Sequence, residues 1–205
     1  MGVGNNMVRV DAIEKVTGGA KYTADLEPKG LLVAKVGRST IANGVVKSFD
    51  LEEALAVPGV VKIVTCFDVP DIQFPTPGHP WSVETAHQDI ADRKLLNTRV
   101  RVYGDDIAAV IAEDEIAASR AARLVKVEYE EYEPMLTVEA AMAEGATVLH
   151  EEKPGNVIAH SSFVVGEGTY QEAVEGEDVA EIDHVYATQS VQHCHIETPI
   201  SFAYM

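Results

Sequence analysis

The segment covering residues 99–132 constrains the fold of this chain more than any other part of the sequence. Residues 107–112 form a nearly unbroken apolar run of strand length, which predicts a strand buried on both faces. Gly104-Asp105-Asp106 provides the preceding turn, and Asp114 is placed to cap the alanine-rich helix that follows. Residues 125–130 then alternate apolar and charged side chains, as in a strand with one exposed face. The segment is therefore predicted to be strand, turn, strand, helix and strand.

The same order of elements is predicted earlier in the chain. Residues 31–38 and 45–49 favour two strands, separated by an Asn43-Gly44 turn signal. Asp50 is predicted to cap a short helix that ends at Pro58-Gly59, and residues 60–65 favour a third strand. This is an internal repeat of topology rather than of sequence. Two such units can place their strands in shared sheets with helices outside, which is the α+β class.

Composition excludes some classes of partner. The chain of 205 residues carries 33 acidic and 16 basic side chains, for a formal net charge of −17. Nucleic acids and anionic membrane surfaces require a basic face, so neither is expected as a partner. Cys66 and Cys194 are too few and too far apart for a disulfide scaffold, which favours a reduced, cytoplasmic protein. The sequence has no apolar run of signal-peptide or membrane-span length.

The remaining segments are less regular. Residues 67–97 are rich in proline and predict a long ordered loop, in which Trp81 is either a local hydrophobic plug or an interface anchor. A short helix is expected from Thr137, followed by an irregular linker. Strands are expected at 163–170 and 181–188, and an alternating apolar strand at 200–205. The chain stops inside that last strand, so we expect it to be a fragment of a longer protein.

One cluster carries residue types that bind metals. In a strand, His193, His195 and Glu197 would point the same way, with Cys194 on the opposite face. Zinc can use such ligands, so an independent metal-binding protein is one alternative. The other alternative, which we favour, is a buried polar strand whose side chains are satisfied by neighbouring loops.

Two further patterns are better explained by structure than by chemistry. Asp105-Asp106 and Glu113-Asp114-Glu115 lie at a turn and a helix start, where carboxylates are favoured for local reasons. Gly166-Glu167-Gly168 lacks the third glycine of a dinucleotide fingerprint and is predicted to precede strands rather than a helix. The residues alone therefore predict an acidic α+β domain with a second piece attached, and they do not indicate which reaction, if any, the protein catalyses.

Several blocks, in order, resemble a known family. The chain is similar to the molybdenum-binding subunit of xanthine dehydrogenases and aldehyde oxidases. The blocks are RVDAIEKVTG (9–18), AKYTAD (20–25), RSTIANG (38–44), VPGV (57–60), DVP (68–70), GDDIAAVIA (104–112), AASRAARLVKVEY (117–129) and VQHCHIE (191–197). The DVPD (68–71) and GHPW (78–81) stretches most resemble the bacterial xanthine dehydrogenase branch.

The resemblance implies a domain plan. It consists of an N-terminal arm (1–16), an α/β-hammerhead domain of mixed strands with short helices (17–133), a linker (134–160) and the truncated beginning of a molybdenum-cofactor-binding domain (161–205). The full enzyme would hydroxylate a purine with oxygen from water. Its electrons would pass from molybdenum–molybdopterin to iron–sulfur clusters, FAD and NAD in partner subunits or domains.

The resemblance also implies that this piece lacks the chemistry. The family's cofactor contacts and catalytic glutamate fall beyond residue 205, so no catalytic, cofactor-binding or metal residue is assigned here. The piece is expected to be a scaffold and docking surface, inactive alone. A non-enzymatic assembly or binding module is the alternative, beside the metal-binding protein that uses His193, His195 and Glu197.

Overall fold

The computed structural model describes residues 4, 6–75, 90–158, 160, 163, 165–175, 179–196 and 199–204. The chain divides into a compact unit, Gly30–Phe163, and a second unit that combines residues 1–29 with residues 164–205. Trp81 and Glu197 lie outside the described residues. The compact unit begins inside the predicted hammerhead bounds of 17–133 and ends beyond them, and the domain bounds remain a prediction.

The compact unit contains six strands and three short helices among its described residues. The strands are β1 (Val33–Arg38), β2 (Gly44–Asp50), β3 (Val60–Thr65), β4 (Arg99–Val100), β5 (Asp106–Ala112) and β6 (Lys126–Glu131). The helices of the whole chain, in order, are α1 (Ala12–Thr17), α2 (Glu52–Leu55), α3 (Glu115–Ala122), α4 (Val138–Met142) and α5 (Tyr170–Val174). A single turn of 3₁₀ helix covers Thr23–Asp25.

The six strands form two antiparallel sheets, with the orders β1-β5-β3 and β4-β2-β6. Each sheet takes its central strand from one predicted repeat and its two edge strands from the other. All four ladders of these sheets therefore join residues 33–65 to residues 99–131. The prediction that the two repeats share their sheets is confirmed.

Helices α2 and α3 cover one face of the β1-β5-β3 sheet, and the β4-β2-β6 sheet packs against its other face. Strand β5 separates two apolar cores: Val110 and Ala112 pack with the helices, whereas Ile107 and Ala109 pack towards the second sheet. A strand with an apolar core on each side reads as a continuous apolar run. The predicted burial of residues 107–112 on both faces is confirmed.

The turn and cap predicted around β5 are also confirmed. The Asp114 carboxylate accepts a hydrogen bond of 2.7 Å from the backbone N–H of Ala117 and so caps α3. Ala118 and Ala121 on that helix have no exposed surface. Small side chains let the helix lie close to the sheet, and Gly59 shows how close: a Cβ there would lie 3.2 Å from Cβ of Ala117.

The cap predicted for α2 is wrong in detail. Asp50 is the last residue of β2, and the helix begins at Glu52 after Leu51. The Asp50 carboxylate still accepts a hydrogen bond of 3.1 Å from the Glu52 N–H. Asp50 stays in the sheet because it pairs with Lys126 on β6. Its side chain therefore supports the helix from the residue before the N-cap, Leu51.

Towards the end of the chain, the strands predicted at 163–170, 181–188 and 200–205 are wrong for the residues that the structure describes. Tyr170 begins α5, because Thr169 and Glu172 form a reciprocal capping box. That helix follows Gly168, which also corrects the expectation of strands after the glycine pair. Residues 181–188 and 200–204 have no regular secondary structure. An alternating pattern favours extended chain, but a strand also needs a neighbour to hydrogen-bond with.

No helix among the described residues combines the length and the apolar character that crossing a membrane requires.

Candidate functional site: a charge-balanced cleft beside strand β4

The sequence's candidate metal ligands come together only in part. The rings of His193 and His195 stack in parallel, with centroids 5.5 Å apart, so these two side chains do share a side. They do not lie in a strand, and Cys194 between them has a φ of 49°. Within the part of the chain that the structure describes, no group of three or more His, Cys, Asp or Glu side chains is placed to hold a metal ion.

The acidic turn before β5 has the structural role predicted for it. Asp105 is buried, and its Oδ2 accepts hydrogen bonds from the backbone N–H groups of Arg101 at 2.8 Å and Val102 at 3.2 Å. Its Oδ1 accepts one from Nη2 of Arg93 at 3.2 Å. The carboxylate therefore holds the turn closed from inside, which is a structural role.

The second acidic cluster is structural as well. The Glu115 carboxylate pairs with Nζ of Lys35 at 2.7 Å and so links α3 to β1. The hydrogen bond from Lys35 holds the pKa of Glu115 below its usual value. Together with the Asp114 cap, this accounts for the acidic residues at the start of α3.

The two cysteines are both free and differ in environment. Cys66 is buried, and burial raises the pKa of its thiol. A protonated, buried thiol is a poor nucleophile, so Cys66 has the character of a core residue. Cys194 is exposed.

The compact unit contains a polar cleft of about 520 Å³ that the sequence did not reveal. Its described walls come from part of the segment 90–101, from Glu151 and Glu152, and from Val45 and Gln73. Residues 94–101 lead into and through β4, and residues 151–152 follow α4, so the cleft lies where the predicted linker meets the sheet.

Arg101 joins these two walls. Its Nη2 lies 2.8 Å from Oδ2 of Asp92, and its Nε donates a hydrogen bond of 2.6 Å to the carbonyl of Leu149. Nδ1 of His150 lies 2.6 Å from the same Asp92 oxygen. One carboxylate oxygen therefore serves two partners from different segments, and this network fixes the position of Asp92.

Arg99, on β4, also lines the cleft and contacts neighbouring segments. Its Nη1 donates to Oδ1 of Asn43 at 2.7 Å and to the carbonyl of Gly44 at 3.0 Å. Its guanidinium carbon lies 5.2 Å from the centre of the Tyr132 ring, a cation–π distance. Burial, with a smaller contribution from the charge of Arg101, lowers the pKa of Arg99. These partners use Arg99 to tie β2, β4 and the end of β6 together.

Two buried polar atoms in this region have no hydrogen-bond partner among the described residues. Asn97 is 4% exposed, and its Oδ1 accepts a hydrogen bond of 3.0 Å from the Lys94 N–H. Among the described residues, neither Nδ2 of Asn97 nor Oδ1 of Asp92 has a hydrogen-bond partner, although both atoms are buried. Buried polar atoms are nearly always paired in folded proteins. Two residues that line the cleft thus each contain one buried, unpaired polar atom.

Among the described residues that line the cleft, the charges balance. Its lining includes three cations and three carboxylates, namely Lys94, Arg99 and Arg101 with Asp92, Glu151 and Glu152. Lys94 already pairs with Asp71 at 2.7 Å, and Arg101 with Asp92. Such a site attracts neither a strong anion nor a cation, and it is suited to neutral groups that form hydrogen bonds.

Comparison with known proteins places this geometry in a family. Residues 17–133 match the family described as "Aldehyde oxidase and xanthine dehydrogenase, a/b hammerhead domain". Over 198 residues the chain is 44% identical to the xanthine dehydrogenase molybdenum-binding subunit of Escherichia coli O157:H7, covering 97% of this chain and 26% of that protein. It is 33% identical to a probable hypoxanthine oxidase of the same organism, covering 97% of this chain and 19% of the relative.

A solved structure agrees. The aldehyde oxidoreductase of Desulfovibrio desulfuricans ATCC 27774 superposes with a TM-score of 0.64 at 31% identity, covering 72% of this chain and 17% of that one. The chain therefore spans about a quarter or less of these relatives. The α+β hammerhead fold predicted from the sequence is confirmed, and the chain belongs to the aldehyde oxidase and xanthine dehydrogenase family.

Proposed function

We propose that this chain is the N-terminal part of the molybdenum subunit of a xanthine dehydrogenase-like hydroxylase. The observation that carries the proposal is the 44% identity to a xanthine dehydrogenase molybdenum-binding subunit across 97% of the chain. The complete enzyme would hydroxylate a purine with oxygen from water. Iron–sulfur and FAD subunits or domains would take up the electrons and pass them to NAD, in the cytoplasm.

The described residues of this chain do not fit the family's cofactors. Molybdopterin carries a phosphate, which needs unpaired cations or a nest of backbone N–H groups. The cleft instead has its cations matched by carboxylates, with Lys94 and Arg101 already paired. An iron–sulfur cluster usually takes four thiolates, and the whole sequence has two cysteines, of which Cys66 is buried in an apolar core. We therefore assign no catalytic, cofactor-binding or metal residue here.

The role that remains is structural. The two interlocked sheets form a scaffold with many large apolar side chains on its surface, including Leu95, Val102 and Tyr103. Contiguous exposed apolar surface is typical of interfaces. The chain would contact the other domains and subunits of the enzyme through this surface, and it would have no activity alone.

The test compares this chain with the complete enzyme. Xanthine and hypoxanthine are each supplied with NAD, and NADH and the hydroxylated purine are measured. We expect turnover and bound molybdenum in the complete enzyme, and neither in the purified 205-residue chain. Turnover by the chain alone would refute its scaffold role. A complete enzyme that hydroxylates neither purine would refute the proposed reaction.

A further inference from the structure

Residues 134–158, which we call the strap, come after strand β6 and belong to the compact unit, although the family resemblance implied a linker there. Neither apolar core contains a described residue of the strap. Its described helix, α4, has five residues, and none of its described residues lies in a strand. A helix of that length is unstable by itself in water. The strap therefore depends on its contacts with the rest of the unit.

Within the strap, the side chain of Asn156 holds a loop together. Its Oδ1 accepts a hydrogen bond of 2.9 Å from the Leu149 N–H. Its Nδ2 donates to the carbonyls of Ala141 at 2.8 Å and Thr147 at 3.1 Å. The backbone of Asn156 is left-handed, with a φ of 55°, a conformation that asparagine adopts more readily than most residues. The loop places Leu149 and His150 where they meet residues outside the strap.

The strap is attached through one polar cluster, which we call the latch. On the strap side, the Leu149 carbonyl accepts a hydrogen bond of 2.6 Å from Nε of Arg101, and Nδ1 of His150 lies 2.6 Å from Oδ2 of Asp92. Nη2 of Arg101 lies 2.8 Å from the same oxygen, so the two contacts form one cluster. Among the described residues, no other hydrogen bond or ion pair joins the strap to the rest of the unit.

We propose that the strap is a detachable segment of the fold, which leaves the hammerhead sheets when the latch opens while both sheets stay folded. Regions with few buried apolar contacts open locally at a low free-energy cost, and the strap is such a region. The side chains of Asp92, Arg101 and His150 keep between 16% and 23% of their surface exposed, so water can replace the latch contacts. This release does not depend on the proposed function.

Release has two consequences for the molecule. Glu151 and Glu152 belong to the strap, so the cleft beside β4 loses that wall when the latch opens. The connection from β6 to residues 164–205 also becomes longer and looser, because the strap is no longer held on the compact unit. The latch thus controls both the closure of the cleft and the reach of the chain that follows.

Amide hydrogen exchange followed by NMR on the 205-residue chain tests the release. In the strap, the N–H groups of Leu149, Lys153 and Asn156 are hydrogen-bonded, and β5 provides amides of a central strand for comparison. After correction for intrinsic rates, we expect the three strap amides to exchange at least about a hundredfold faster than those of β5. If they exchange no faster than β5, the strap opens only when the whole unit unfolds, and the proposal is overturned.

A variant of the latch links this exchange to its cause. Arg101→Met removes the guanidinium and keeps an unbranched stem, so the three strap amides should exchange about tenfold faster while β5 is unchanged. Lys94→Met is the matched control, because Lys94 also lines the cleft but pairs with Asp71 and not with the strap. Strap exchange in Lys94→Met should stay at the wild-type rate.

Asp92→Asn tests the latch from its other partner. It should accelerate the same strap amides, and the double variant with Arg101→Met should exceed neither single variant by the full product of the two effects, because both residues belong to one cluster. Unchanged strap exchange in Arg101→Met, equal acceleration in β5, or equal acceleration in Lys94→Met would each overturn the proposal. If Arg101→Met does not fold, Asp92→Asn decides by the same criteria.

Discussion

Asp105 offers the sharpest test of how the hammerhead core is held together. Replacing it with alanine removes a buried carboxylate that accepts hydrogen bonds from the N–H groups of Arg101 and Val102 and from the Arg93 side chain. The turn that these bonds close delivers the chain into β5, the central strand of its sheet. We therefore expect Asp105→Ala to loosen the whole unit and not just one loop.

The magnitude follows from the three bonds. A hydrogen bond to a charged acceptor contributes about 1.5–3 kcal/mol, which we assign to the half-buried N–H of Arg101. Val102 is largely exposed, so water can replace its bond for about 0–1 kcal/mol. The Arg93 side chain is 30% exposed, and its ion pair contributes about 0–1 kcal/mol. The expected loss is about 3 kcal/mol, a large share of the roughly 5–15 kcal/mol typical of domains.

Urea unfolding followed by far-UV circular dichroism measures this loss. With a slope of about 2 kcal/mol per molar urea, the midpoint should fall by about 1.5 M. The adjacent Asp106 is a matched control, because its carboxylate is 39% exposed and lies 3.9 Å from Arg38. Asp106→Ala should change stability by less than about 0.5 kcal/mol. If Asp105→Ala loses under about 1 kcal/mol, or no more than Asp106→Ala, the structural reading of the turn is refuted.

Three further predictions concern packing, reactivity and pH. Gly44→Ala should lose about 1–3 kcal/mol in urea unfolding, because the new Cβ would lie 2.6 Å from Cδ1 of Ile41 and closer still to the Glu130 carbonyl oxygen. In the native chain a thiol reagent such as DTNB should modify one cysteine quickly, and it should reach Cys66 only on unfolding, because burial raises the pKa of that thiol. Hydrogen bonds from the side chain and backbone of Thr65 hold the pKa of Asp68 below its usual 3.8. The folded state thus binds fewer protons than the unfolded state, and the resulting stability is present above pH 3.8 and lost as pH falls through the folded pKa. Thr65→Val should raise the pKa of Asp68 towards 3.8 in an NMR titration and reduce this acid sensitivity.

Each of these has its own control. Gly155 has open space around its Cβ position, so Gly155→Ala should be close to neutral, and an equal loss in both variants would contradict the packing argument for Gly44. Cys194→Ala should abolish the fast thiol reaction, and a fast reaction that survives would mean that the buried thiol is accessible. An unchanged Asp68 titration in Thr65→Val would show that the hydroxyl bond does not set that pKa.

The residues of the cleft beside β4 show why the sequence patterns did not predict it. Asp92, Asn97 and Arg101 belong to no motif and fall in or beside a loop whose composition predicts only irregular structure. Their significance comes from two atoms left unpaired after folding, and that depends on contacts with Leu149 and His150, which lie far along the chain. Conversely, His193 and His195 form a recognisable pattern but have no third described ligand nearby.

The sequence by itself determined the elements whose hydrogen bonds are local or whose burial follows a simple period. The Asp114 cap, the apolar run of β5 and the alternation of β6 each depend on neighbouring residues, so their pattern survives into the structure. The order of the strands and helices in the two repeats could be predicted for the same reason.

Only the tertiary structure decided which strands pair. Each repeat supplies the centre of one sheet and the edges of the other, so every ladder of the two sheets depends on residues from both halves of the unit. The same dependence explains why strands predicted near the end of the chain do not form. Residues 181–188 and 200–204 have an alternating pattern, but no ladder forms among their described residues. Strand pairing and the polar cleft both require partners distant in the chain, and a local pattern cannot specify them.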